Sequence, residues 1–143
     1  MTEGLSSAEG VRGKRMAGFA ARQSDNGPGI WHQFAPLPDG RVGVVIGSCA
    51  DPGAARRLQA ETSSRLCDGA DPAGVLRGLN APAASILAAV FDRNTARMSY
   101  SSIGMAAVAL STPGRAHRAF GPTGGRLETV DLPPGSVMLL GTR

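Results

Sequence analysis

The order of the predicted elements assigns this chain to the α+β class. Strand-like apolar runs come first, two amphipathic helical segments follow between residues 51 and 79, and further strands fill the rest. Strands and helices grouped in this way favour packed sheets over alternating β-α units. The 20 glycines and 10 prolines among 143 residues require many turns and argue against an all-helical bundle. We therefore predict an α+β sandwich.

The first strands are predicted around an Asp-Gly turn. Residues 16–22 alternate imperfectly in an extended pattern, and residues 31–36 and 42–46 flank Asp39 and Gly40, a dipeptide typical of hairpins. Residues 42–46 form a continuous apolar run rich in β-branched side chains. Such a run is typical of a strand that is buried on both faces.

Two helices are predicted from Asp-Pro starts. Asp51 and Asp71 suit N-cap positions, because each precedes a proline that fits the first helical position. The first helix is expected to end near Cys67. The residues expected on one side of this helix recur at three- and four-residue spacing and comprise Ala55, Leu58, Thr62 and Leu66. The second helix is shorter, and its predicted apolar face comprises Val75, Leu76 and Leu79.

Further strands are predicted to complete the sandwich. They cover residues 84–91, 97–103, 106–110, 116–120, 127–132 and 136–140. Residues 1–12 are polar, rich in glycine and serine and without a period, so we expect a flexible N-terminal arm. Residues 13–143 are expected to form a single domain, which suits a chain of this length.

Composition and charge exclude several classes of protein. No apolar run approaches the ~20 residues needed to span a bilayer. The N-terminus lacks the basic and apolar parts of a secretory signal, so we expect a cytoplasmic protein with Cys49 and Cys67 as reduced thiols. The net charge of +4 would suit a polyanion, but the arginines are scattered and no aromatic pair accompanies them. Nucleic-acid binding is therefore a disfavoured alternative.

Several segments together resemble a known family. Residues 29–47 read GIWHQFAPLPDGRVGVVIG, residues 90–104 read VFDRNTARMSYSSIG, and residues 130–140 read VDLPPGSVMLL. With the helix that begins at Asp71, they are similar in order and content to SpoIIE/RsbU-type phosphatases, the bacterial branch of the metal-dependent PPM (PP2C-like) serine/threonine phosphatases. The resemblance runs from about residue 16 to residue 143. It implies an α-β-β-α sandwich of two antiparallel sheets, here with a reduced set of flanking helices.

The resemblance also implies where metal ligands would lie. In this family, aspartates hold two Mn²⁺ or Mg²⁺ ions that activate water for attack on a phosphoserine or phosphothreonine. The matching positions here carry Ile30, Ser48 and Arg143, and the second acidic position of the first motif is Gln33. Ile30 has no donor atom, Gln33 and Ser48 have no charge, and the family's final aspartate has no counterpart. We expect a degenerate metal site with no cofactor and no catalytic residue.

Other residues that could act in catalysis or metal binding are expected to have structural roles. Asp51 suits a helix N-cap. Cys49 precedes the same helix, but Arg56 lies too late for the phosphate loop of a cysteine-dependent phosphatase. His32 and His117 have no metal-ligand spacing.

The resemblance and the residues together predict a pseudophosphatase. Such a domain would bind a regulatory protein, an anti-sigma factor antagonist or an anti-sigma factor, in the partner switching that controls sigma factors in stress responses. A residual metal-dependent phosphatase and a basic nucleic-acid-binding protein stay open as alternatives. We also expect Arg143 to project toward Ile30 and Ser48, where its guanidinium can contact an anion, although a terminal residue is usually frayed.

Overall fold

The computed structural model describes residues 4–8, 19–23, 29–81 and 83–142 of the chain. In chain order these residues form β1 (Gly4–Ala8), β2 (Phe19–Gln23), β3 (Ile30–Pro36), β4 (Arg41–Cys49), α1 (Pro52–Cys67), α2 (Pro72–Leu76), β5 (Ala84–Asp92), β6 (Arg97–Ile103), β7 (Ala107–Ser111), β8 (Arg118–Phe120), β9 (Glu128–Asp131) and β10 (Val137–Gly141). A single 3₁₀ turn, Pro38–Gly40, joins β3 to β4. The predicted α+β class is confirmed.

The strands form antiparallel sheets. One sheet has the order β3-β4-β5-β6-β9, a second has the order β10-β7-β8, and β1 pairs with β2 in a hairpin. The two larger sheets share a core cluster, to which the five-stranded sheet contributes Leu87 and Met98 and the three-stranded sheet contributes Val108 and Leu110. The molecule is therefore the two-sheet sandwich that the sequence predicts.

Both helices pack on one face of the five-stranded sheet. The helix α1 begins after its N-cap Asp51 and buries the four residues predicted for its apolar face: Ala55, Leu58, Thr62 and Leu66. Ala55, Leu58 and Leu66 share a second core cluster with side chains of β3, β4, β5 and α2. Within the described residues the layers are thus α-β-β, and the reduced set of helices lies on one side of the sandwich. None of the described helices is long and apolar enough to cross a membrane.

Glycines on β4 allow the helical layer and an indole ring to lie close to the sheet. A Cβ atom at Gly43 would lie 2.8 Å from the side chain of Leu66 in α1. A Cβ atom at Gly47 would overlap the ring of Trp31, which is only 5% exposed. The close approach on this face of β4 therefore depends on the absence of two side chains.

The N-terminal segment differs from its expected flexible arm. Gly4–Ala8, within residues 1–12, form β1 and pair with β2. Backbone pairing requires no side-chain period, which explains why the polar composition did not indicate a strand. The other residues of the expected arm lie outside the described part, and the division into an arm and one domain stays a prediction.

The helix α2 ends earlier than its apolar pattern indicated. Its last residue is Leu76, although Leu79 still packs against the core cluster that includes α2. Arg65 of α1 donates hydrogen bonds to the carbonyl oxygens of Val75 and Arg77, at 3.1 and 2.6 Å. A side chain from another helix thus binds the carbonyl groups that an extra turn would have used.

Candidate functional site

Two of the expected metal-ligand positions lie directly opposite each other. In the β3–β4 pairing Ile30 faces Ser48, and in the β4–β5 pairing Ser48 faces Ser85. Directly opposed residues point to the same face of a sheet, with Cβ atoms about 4.5–5.5 Å apart. Steps of two along the strands lead from this row to Phe34 and Ile46, which pack in the core between the sheets. We call Ile30, Ser48 and Ser85 the end row, because they line one end of the space between the two sheets.

The end row continues into the turn between β6 and β7. The hydroxyl oxygen of Ser85 accepts a hydrogen bond from the backbone N–H of Met105, at 3.0 Å. Gly104, the residue before Met105, has a φ of +71°, and a Cβ atom on Gly104 would overlap the carbonyl oxygen of Ala84. Sequence reasoning missed Ser85, because its place opposite Ser48 follows from strand register rather than from a motif.

Gln33 does not belong to the end row. It lies three residues after Ile30 on β3, and an odd spacing along a strand turns the side chain to the opposite face. On that face its Oε1 atom accepts a hydrogen bond from the hydroxyl of Ser63 in α1, at 3.0 Å. Gln33 therefore ties β3 to the helical layer, and the expected grouping with Ile30 and Ser48 is not found.

Arg143 lies outside the described residues. The strand β10 ends at Gly141, opposite Ala107 at the start of β7. Since β7 starts just after the turn that contacts Ser85, β10 runs toward the end row. The contact of Arg143 with an anion stays a prediction.

The donor atoms of the end row do not fit a pair of divalent cations. Ile30 offers none, and Ser48 and Ser85 offer neutral hydroxyl groups, whereas Mg²⁺ and Mn²⁺ favour carboxylate oxygens. Among the described residues, no group of three or more His, Cys, Asp or Glu side chains is placed to hold a metal ion. The nearby Asp51 serves as an N-cap, since its Oδ1 atom accepts the N–H of Gly53 at 3.1 Å.

The remaining candidate residues do not converge. Cys49 is buried at the end of β4, next to a cleft of about 310 Å³ that borders the start of α1, while Cys67 is exposed. The ring of His32 meets the ring of Phe34 edge-on, with centroids 6.3 Å apart. His117 is exposed in the turn between β7 and β8. The structure therefore places these four cysteine and histidine side chains at separate locations.

No protein-family model matches the chain, and neither does any curated protein sequence. Solved structures do match it. The RsbU and RsbW domains of Rv1364c from Mycobacterium tuberculosis superpose with a TM-score of 0.59 and 17% identity, over 84% of this chain and 37% of that one. RsbX in complex with magnesium superposes with a TM-score of 0.66 and 11% identity, over 96% and 70% of the two chains.

A third structure is the PP2C phosphatase domain of SpoIIE from Bacillus subtilis, with a fragment of its regulatory domain. It matches with a TM-score of 0.62 and 11% identity, over 94% of this chain and 43% of that one. This chain spans less than half of the Mycobacterium and Bacillus chains. The chain has the fold of the SpoIIE/RsbU-type PP2C phosphatase domains, which confirms the fold that the sequence resemblance implied.

Proposed function

We propose that this chain is a pseudophosphatase, a PP2C-like domain that binds a regulatory protein without removing a phosphate group from it. The end row carries the proposal, because Ile30 and Ser48 lie opposite each other where the sequence resemblance puts aspartates. Two-metal phosphatases use bound cations to generate a nucleophilic water and to stabilise the attacking and leaving oxygens. An aliphatic side chain and a neutral hydroxyl offset none of the charge of two such cations.

The proposed partner is a protein of an anti-sigma switching system. The similar Mycobacterium tuberculosis structure contains an RsbU and an RsbW domain together. The sequence resemblance implies a family that acts on anti-sigma factor antagonists. An anti-sigma factor antagonist or an anti-sigma factor, in the cytoplasm, is therefore the partner class that the fold supports best.

Binding without turnover tests this proposal. The protein would be titrated by calorimetry with an anti-sigma factor of the same organism and with its antagonist, the latter both phosphorylated on serine and unphosphorylated. We expect one of these proteins to bind and the antagonist to keep its phosphate during incubation with Mn²⁺, as followed by mass spectrometry. An active RsbU-type phosphatase is the positive control. Loss of the phosphate would contradict the inactive state, and failure of all three to bind would contradict the partner class.

A further inference from the structure

The net positive charge of the chain comes from one segment of the sequence. Residues 93–127 contain five arginines and neither aspartate nor glutamate. The rest of the chain has 10 basic and 11 acidic residues, so the segment 93–127 accounts for all of the net charge of +4. The arginines are spread along the whole sequence, whereas aspartate and glutamate are absent from residues 93–127.

Two of these five arginines lie on the hairpin formed by β7 and β8, and Arg97 and Arg126 are exposed outside it. Arg115 and His117 are in its turn and Arg118 begins β8; all three are exposed. None of them forms a salt bridge within the described residues, whereas Arg97 of the same segment pairs with Asp131 at 2.9 Å. We call residues 107–120 the basic hairpin.

The turn of the basic hairpin is held in one conformation. The backbone N–H of Arg115 donates to the carbonyl oxygen of Thr112, at 3.1 Å. The hydroxyl of Thr112 lies 3.2 Å from that of Ser136 in the neighbouring turn, and a Cβ atom at Gly135 would lie 3.1 Å from Pro113. Because these contacts restrict the turn in the unbound protein, binding costs less conformational entropy there.

Arg118 is oriented by an aromatic ring. Its guanidinium lies over the ring of Phe120, 5.0 Å from the centroid, and that ring in turn meets Tyr100 edge-on. A guanidinium stacked in this way keeps the N–H groups of its rim available. Those groups match the two oxygens of a carboxylate, so Arg118 is prepared for an acidic side chain.

The strand β8 also offers backbone groups. It is the last strand of the three-stranded sheet, and among the described residues it pairs with β7 alone. A free strand edge presents N–H and C=O groups to which another extended segment can add. Alternate side chains of an added strand would face Arg118 and Phe120 on one side and Ala119 on the other.

We propose that an acidic protein segment binds the basic hairpin as an added strand along β8, with its carboxylates near Arg115 and Arg118. The strand β7 starts beside the end row and runs away from it, so the turn that carries Arg115 lies at the far end of β7, and β8 returns alongside β7. Neither Arg115 nor Arg118 belongs to the end row, so the interaction does not depend on whether the end row binds metal. A protein segment fits this surface better than a nucleic acid, because the hairpin offers a strand edge and the ring of Phe120 is already covered by Arg118.

Fluorescence anisotropy with a short labelled peptide of alternating valine and glutamate tests the proposal. We expect Arg115→Glu/Arg118→Glu to weaken binding at least about tenfold, because each attractive contact is replaced by a repulsive one. The matched control is Arg56→Glu/Arg77→Glu, which changes the net charge equally at exposed arginines of the helical layer. It should retain the parent affinity. The fluorescence of Trp31 would show that both variants unfold at the parent temperature.

Two further probes separate the parts of the proposal. The peptide with glutamine in place of glutamate, and the glutamate peptide N-methylated at alternate residues, should each bind much more weakly. The proposal would be overturned if both double variants lost the same affinity for the peptide, or if either altered peptide bound as tightly as the original one. It would also be overturned if the original peptide did not bind the parent protein at low salt. Tighter binding of duplex DNA than of the peptide, with the same dependence on Arg115 and Arg118, would assign the surface to nucleic acid instead.

Discussion

Ile30 and Ser48 lie opposite each other in the β3–β4 pairing, so charges placed at both positions would be close together. We expect Ile30→Asp/Ser48→Asp to lower the free energy of unfolding by more than the two single variants combined, by about 0.5–1 kcal/mol. The excess comes from two carboxylates on one face of the sheet without a counter-ion. Urea unfolding at pH 7 in the presence of a chelator measures it.

The matched control for this experiment is Ile30→Asn/Ser48→Asn. Asparagine has the shape of aspartate without its charge, so the effects of these two changes should be additive. If the effects of the two aspartate substitutions on the free energy of unfolding were additive as well, the side chains at positions 30 and 48 would not lie close together. The end row would then not be a site.

Tyr100 gives a second prediction at the scale of one residue. Burial raises the pKa of its hydroxyl above the usual 10.0, and the carboxylate of Glu128 raises this pKa further. The folded protein then keeps this proton at a pH where the unfolded chain has lost it. The stability due to Tyr100 is therefore present below about pH 10 and is lost as the pH rises through the raised pKa.

Absorbance of tyrosinate measures this pKa directly, because Tyr100 is the only tyrosine of the chain. The titration midpoint should be higher in buffer than in concentrated urea. Coincident midpoints would show that neither burial nor Glu128 acts on the hydroxyl.

Among the structural elements, β4 has a face that depends on glycine. We expect Gly47→Ala to lower the free energy of unfolding by about 1–3 kcal/mol, since the new methyl group would overlap the ring of Trp31. Urea unfolding followed by Trp31 fluorescence reports on that contact. Gly53→Ala in the first turn of α1 is the control, because a Cβ atom there would lie 3.6 Å from Oδ1 of Asp51, an ordinary van der Waals contact. A loss at position 53 equal to that at 47 would contradict the role of the indole.

The elements also show what one sequence can predict. Asp51 and Asp71 indicated both helix starts, because an N-cap followed by proline is a local signal. The end of α2 was not predictable, since it depends on Arg65 of another helix. The face of the sheet that Gln33 occupies was not predictable from its motif for a related reason. Its motif position is local, but the face of the sheet that it occupies follows from strand alternation and from its contact with Ser63.

At the scale of the whole molecule, the end row and the turn of the basic hairpin lie at opposite ends of β7. Ile30, Ser48 and Ser85 of the end row have no carboxylate, while Arg115 and Arg118 of the basic hairpin are exposed and form no salt bridge with described residues. Arg115 and Arg118 of the basic hairpin are not part of the core cluster between the sheets, so they can change while the fold is retained. The same holds for Ile30, which stands at an expected metal-ligand position and is not part of the core cluster between the sheets.

Calorimetric titration of Mn²⁺ into the protein, together with an assay of p-nitrophenyl phosphate hydrolysis, tests the central claim most directly. The end row predicts no binding of Mn²⁺ with micromolar affinity and no hydrolysis above a protein-free blank at any Mn²⁺ concentration. Hydrolysis that increases with Mn²⁺ and stops when a chelator is added would contradict the claim that Ile30 and Ser48 have replaced a working metal site.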